Sequence, residues 1–277
     1  MASVCGERAL RVVALDDRGS VLESRVLAPG SPGERRAMPE GTFCVAFVPP
    51  EGTVQGMREL ATAFRKDERM AVAGLRRTDR AGRMLGSVCL RPTWSDLLCR
   101  LLIGSSSRQG VLAPGLPIPG FAHERTLAVE AVHPEAWAVR ATHWVDLEGV
   151  LGELSWEYGV QDFVDRVARR GLEAFFVPDA CVTGVDRQRD CWCRPSRDLP
   201  ALCGLFRYVR RQWGPWWARL FRWTFKPLFL LRLCLELPVR LLLSVGGSKT
   251  SRARALDGPG AIARFLVFQS PTFLRMR

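Results

Sequence analysis

At 277 residues, with 47% hydrophobic and 25% charged side chains, the chain carries enough apolar material for a real core and is expected to form one α/β domain plus an appendage. Its 40 Lys and Arg against 28 Asp and Glu leave a net charge of +12, which asks for an anionic partner: nucleic acid, nucleotide phosphates or an anionic membrane face. Three His nearly exclude a multi-His metal site, and nine Cys, among which only Cys191 and Cys193 are closely spaced and lack zinc spacing, read as reduced thiols rather than a disulfide framework. The first residues show no apolar run of the signal-peptide kind, and no stretch of 18 uncharged apolar residues predicts a membrane span.

In chain order, residues 10–16 and Ser20–Leu27 are two β-prone runs flanking Asp16-Asp17-Arg18-Gly19. They read either as a hairpin closed by a Gly turn or as a strand whose acids, Asp16 and Asp17, contact a nucleotide. Pro29–Gly41 reads as a loop, and Thr42–Val48 as a buried strand. Apolar residues at Val54, Met57, Leu60, Ala61 and Phe64 predict a helix over Thr53–Phe64. Met70–Leu75 is a further strand and Asp79–Gly82 a turn, an order that predicts a mostly parallel α/β sheet. Trp94–Ile103 is predicted to be a helix capped by Thr93, and 104–120, rich in Ser, Gly and Pro, a loop. Strands are predicted within Thr126–Arg140, a helix over Val160–Arg170 and a buried strand over Leu172–Val177.

The composition changes at Leu199, which divides the chain into 1–198 and a basic, aromatic helical tail, 199–277, cut by Pro215, Pro227 and Pro238. Trp213, Trp216, Trp217 and Trp223 alternate with Arg219, Arg222 and Lys226. Such a mixture suits an anionic membrane interface, where indoles sit at headgroup level and cations reach phosphates. Packing as core or oligomer helices and stacking on nucleic acid are the competing readings. Residues 246–258 read as a basic loop before a last apolar helix from Ala261.

The stretch Val139–Cys181 carries Val139-Arg140, Gly149, Asp162, Arg166, Arg169-Arg170-Gly171 and Val177-Pro178-Asp179-Ala180 at the spacing of a family frame. It resembles the acceptor half of a family 2 glycosyltransferase of the rhamnosyltransferase type, and the likeness extends over roughly residues 40–245. In that family an Arg-containing strand leads to a short helix, a Gly-Gly-Phe-Asp turn, a Glu-Asp-x-Asp motif, an Arg-rich helix and a strand ending in Val-Pro-Asp-Ala. The resemblance implies a GT-A-like, mostly parallel sheet flanked by helices, here shortened at its start, acting in cell-envelope polysaccharide synthesis. Cytoplasmic placement on the inner face of the cell membrane goes with it.

The family's chemistry is incomplete here. Its Asp-x-Asp position reads Val48-Pro49-Pro50, with Glu51 displaced by one residue; its Glu-Asp base is Gly159-Val160; its turn acid is Leu151; its His is replaced by Thr183-Gly184. The resemblance therefore implies an impaired or inactive transferase, a partner of an active one or of a lipid-linked sugar acceptor. If transfer persists, Glu157 and Asp162 are the candidate catalytic acids. Asp16, Asp17 and Glu51 would then hold the donor, Glu51 would ligate Mg²⁺ or Mn²⁺ with a nucleotide sugar, and Trp156, Arg140 and Arg166 would meet the acceptor. Glu157 reads equally as a carboxylate at a positive helix start. A non-catalytic membrane or nucleic-acid binding module on the same scaffold is the third alternative.

Overall fold

The computed structural model describes residues 10–27, 38–89, 91, 93, 124–150, 154, 156–185, 204–224 and 227. These fall in two compact units, one holding 10–91 and 124–185, the other 93, 204–224 and 227. The predicted helix Trp94–Ile103, the loop 104–120, Cys191, Cys193, Lys226, Leu151 and the segments 246–258 and 261 onward lie outside the described residues, as does the side chain of Glu157.

The first unit is an α/β structure. Its strands are β1 (Leu10–Leu15), β2 (Val21–Leu27), β3 (Cys44–Val48), β4 (Thr53–Gln55), β5 (Met70–Thr78), β6 (Met84–Leu85), β7 (Val88–Cys89), β8 (Leu127–Val129), β9 (Ala131–Val132), β10 (Trp137–Arg140) and β11 (Glu173–Thr183). Its helices are α1 (Met57–Lys66), α2 (Ala141–Asp146) and α3 (Trp156–Arg169). The main sheet runs in the order β2-β1-β3-β10-β5-β11-β4, with β6 on β5 and β8 on β11, while β7 and β9 form a separate pair.

The sheet is mixed and mostly antiparallel, which corrects the expectation of a mostly parallel one. Among the described residues the only parallel ladder joins β5 to β11. Strands β3 and β5 do run in the same direction, as the strand-helix-strand order demands. A later strand, β10, lies between them and pairs antiparallel with both. At the other edge β1 and β2 form the hairpin that the Asp-Arg-Gly turn suggested.

Both faces of this sheet are covered, and β3 shows it residue by residue. Cys44, Ala46 and Val48 join the core under α1 with Leu60 and Phe64. Val45 and Phe47 join the other core with Trp137, Trp144 and Phe163. Burial on two sides is why Thr42–Val48 is an unbroken apolar run rather than an alternating one.

Helix α1 begins four residues later than its apolar period suggested. Thr53–Gln55 is instead a strand paired with Cys181–Thr183, and Gly56 turns the chain into the helix at φ 74. Helix α3 begins at Trp156, earlier than the predicted Val160. Strand β11 continues past Val177: Val177 pairs with Leu75 and Cys181 with Arg76, so Pro178, Asp179 and Ala180 form a bulge. Pro178 has no N–H to give, and the bulge spares the ladder a missing bond.

The bulge rests on the start of α1. A Cβ on Gly56 would lie 1.9 Å from the Asp179 carbonyl oxygen. Gly82 has a similar φ of 76, yet a Cβ there meets nothing within 4 Å. Gly56→Ala is therefore expected to cost at least about 2 kcal/mol more in chemical denaturation than Gly82→Ala, since left-handed strain is common to both and only Gly56 adds the collision. Equal losses would mean that the bulge does not press on Gly56.

Candidate functional site

Strand β3 carries the stretch where the resemblance places donor chemistry. Past Val48, Pro49-Pro50-Glu51-Gly52 forms a turn closed by a 3.0 Å bond from the Gly52 N–H to the Pro49 carbonyl. Arg11 on β1 donates to the Gly52 carbonyl at 2.6 Å. Glu51 is exposed in this turn.

Asp16 and Asp17 lie at the other end of the same strand. The antiparallel register sets Leu15 beside Cys44 and Arg11 beside Val48, so Asp16 follows β1 where β3 starts and Glu51 follows β3 where it ends. About 13 Å of strand separates these two ends. Asp16 spends its carboxylate locally, accepting bonds from the backbone N–H of Ser20 at 2.7 Å and of Arg18 at 2.9 Å. Gly19 follows at φ 79, packed so closely on Met57 and Arg58 that a Cβ would lie 2.5 Å from the Met57 carbonyl. Asp79 closes the β5–β6 turn in the same way, accepting from Ala81 and Arg83.

A divalent ion of the kind the family uses requires several converging carboxylate oxygens. Glu51 follows the end of β3 in the chain, and Asp16 and Asp17 lie at its start. No group of three His, Cys, Asp or Glu among the described residues is arranged to hold a metal. Among the described residues, Glu51, Asp16 and Asp17 do not form such a set. Burial also pushes the Cys44 thiol up to about 12, which removes its thiolate as a nucleophile near neutral pH.

Asp162, Arg166 and Arg140, which the resemblance assigns to catalysis and the acceptor, each have a partner within the fold. Asp162 is fully buried on α3 and pairs with Arg166 at 2.9 Å. Arg166 also donates to the Leu147 carbonyl and, at 2.6 Å, to the Gly149 carbonyl. Asp165 pairs with Arg91 at 2.8 Å. Arg140 donates to the carbonyls of Phe64, Asp67 and Met70, where α1 ends and β5 begins, and lies over the rings of Phe43 and Phe64. Cations favour a helix C-terminus, and this one satisfies carbonyls the helix leaves open. Its burial holds the guanidinium pKa below the usual arginine value.

Trp156, the expected sugar platform, is half-buried and contacts the core. Its indole N–H donates to the Pro134 carbonyl at 2.8 Å, and its ring lies 5.4 Å from Phe47 and 6.1 Å from Trp137. Glu157 is the second residue of α3, a backbone position where a carboxylate favours the helix dipole.

One polar group escaped the sequence reading. Arg77 is fully buried at the end of β5, pairing with Glu135 at 3.0 Å and donating to the Gly86 carbonyl at 2.7 Å. Its backbone N–H donates to the buried Ser87 hydroxyl, and the buried His133 accepts at Nδ1 from the Glu135 N–H. The signal was Arg76-Arg77 directly after a buried strand run, where alternation must turn one of the two inward. This clasp joins β5 to the segments before β7 and β10, and breaking its ion pair would leave a buried charge.

The residues proposed for the membrane lie in the second unit. Helical residues 204–224 include Gly214 at φ 88, and Trp216, Trp217 and Trp223 are exposed, as is Arg219. Trp213 is half-buried, with its ring 6.1 Å from Tyr208, and burial holds Arg222 below its usual pKa. No helix among the described residues is long and apolar enough to cross a membrane. The sequence matches no protein-family model and no curated protein.

The turn at Asp16 has a measurable consequence. The bond from the Ser20 N–H holds the Asp16 carboxyl below its ordinary value of 3.8. The stability it contributes is fully present above that value and is lost as the pH falls through the lower folded one. Asp16→Asn is expected to lower the thermal midpoint at neutral pH and to reduce its decline below about pH 4. An unchanged acid decline would mean that the turn does not hold this carboxylate.

Proposed function

We propose that the chain is a family 2 glycosyltransferase-like protein of cell-envelope polysaccharide synthesis that has kept the acceptor-half frame as a scaffold and given up metal-dependent sugar transfer. Its role is then that of a partner, alongside an active transferase or a lipid-linked sugar acceptor. The element order supports this reading: the Arg-bearing strand β10, the short helix α2, the Gly149 turn, helix α3 and strand β11 follow one another as the resemblance implies. One observation carries the loss of transfer. Asp16 and Asp17 stand at one end of β3 and Glu51 at the other, so the remaining acids do not converge on a phosphate-bridging ion.

Other features point the same way. Asp162 is buried against Arg166 and has no open side toward a sugar hydroxyl. A general base must reach the proton it removes, directly or through one water. Trp156 is likewise engaged by its N–H bond and ring neighbours.

Calorimetric titration of the folded chain with UDP- and dTDP-sugars, with and without Mn²⁺, tests the proposal. The expected result is no metal-dependent binding. Metal-dependent binding that Glu51→Gln abolishes would overturn it and restore the reading of an active transferase with displaced acids.

A further inference from the structure

The helical residues 204–224 fold back on themselves. The rings of Phe206 and Phe221 lie 5.3 Å apart in an edge contact, though a straight helix would hold these two positions about 22 Å apart. The break is at Gly214, whose φ of 88 cannot continue a right-handed helix, and Pro215 follows at the first position of the second arm. Gly beyond one helix end and Pro at the next helix start are the usual residues for such a corner.

The two arms differ in what they offer to solvent. On the first arm Leu205, Phe206, Tyr208 and Val209 are buried. On the second, Phe221 is fully buried whereas Trp216, Leu220 and Trp223 are 69%, 38% and 78% exposed. Their spacing of four and then three residues puts them along one stripe, on the side of the arm away from Phe221. Arg219 is exposed beside the stripe, and Arg210 and Arg211 are exposed on the first arm. Across 204–224 there are five Arg and no Asp or Glu.

We infer that the second arm of this hairpin, through Trp216, Leu220 and Trp223, inserts into the headgroup layer of an anionic lipid surface. A stripe of two exposed indoles and a leucine can bury apolar area in acyl chains, and indoles favour the headgroup level. The five arginines of this stretch, with no Asp or Glu among residues 204–224, supply complementary charge toward an anionic leaflet. A nucleic-acid site would instead set its aromatics along a basic groove that tracks a phosphate backbone, and an aliphatic residue at the centre of the stripe gives a base nothing to stack on. The inference stands on the hairpin alone and is independent of the sugar-transfer reading.

The test is co-sedimentation of the full chain with vesicles of phosphatidylcholine containing about one third phosphatidylglycerol, against pure phosphatidylcholine and a single-stranded RNA. Expected are binding to the anionic vesicles, little to the neutral ones, and a loss of tenfold or more in the variant Trp216→Ser, Leu220→Ser, Trp223→Ser. Quenching of native tryptophan emission by acyl-brominated lipids, measured on the unaltered chain, should accompany binding and covers the case of a variant that folds poorly. Absence of quenching, undiminished binding by a folded triple variant, or RNA binding with a steep salt slope in place of vesicle binding would each overturn the inference.

Discussion

One guanidinium organises the second half of the sheet domain. Helix α2 ends in a turn where Glu148 and Gly149 both take positive φ, 58° each, leaving carbonyls that no helix satisfies. Arg166, reaching across from α3, accepts this duty: it donates to the carbonyls of Leu147 and Gly149 while its charge is matched by Asp162. The turn must be tight, because a Cβ on Gly149 would lie 2.7 Å from the Trp144 ring. Trp144 in turn packs on Phe47, Trp137 and Phe163, so the position of the turn sets the position of the aromatic core. A buried carboxylate without its cation, or the reverse, is costly, which ties the two side chains to each other.

On the proposed reading, that arrangement is a physical reason for an acceptor-half frame to be kept without its chemistry. Arg140, Gly149, Asp162 and Arg166, the residues that carry the resemblance, each meet a backbone or core requirement. Arg140 closes the end of α1, and Arg166 closes the end of α2. A requirement of this kind survives whether or not a substrate is ever bound. The resemblance expects acids at Gly159-Val160 and Val48-Pro49-Pro50, and the proposed loss of transfer rests on their replacement.

Much of the local structure was legible in the chain. The unbroken apolar run of β3, the period of Leu60, Ala61 and Phe64 in α1, and the hairpin at Asp16–Gly19 are local patterns with local causes. What escaped was non-local. The pairing of Thr53–Gln55 with β11, and the insertion of β10 between β3 and β5, join segments far apart in sequence and leave no period to read. The candidate site shows the same division. The resemblance singled out Asp162, and residue type Trp156, but only the fold shows Arg166 and Pro134 as their partners. In the helical segment Pro215 announced a break, while the fold-back follows from the backbone of Gly214.

The most direct test is a double-mutant cycle at Asp162 and Arg166, using Asp162→Asn and Arg166→Gln in chemical denaturation. If the pair is a structural brace, each single change should cost about 3 kcal/mol, and the double change less than their sum by about 1–3 kcal/mol. Additive and small effects, together with a nucleotide-sugar-dependent activity lost in Asp162→Asn, would contradict it and return Asp162 to catalysis.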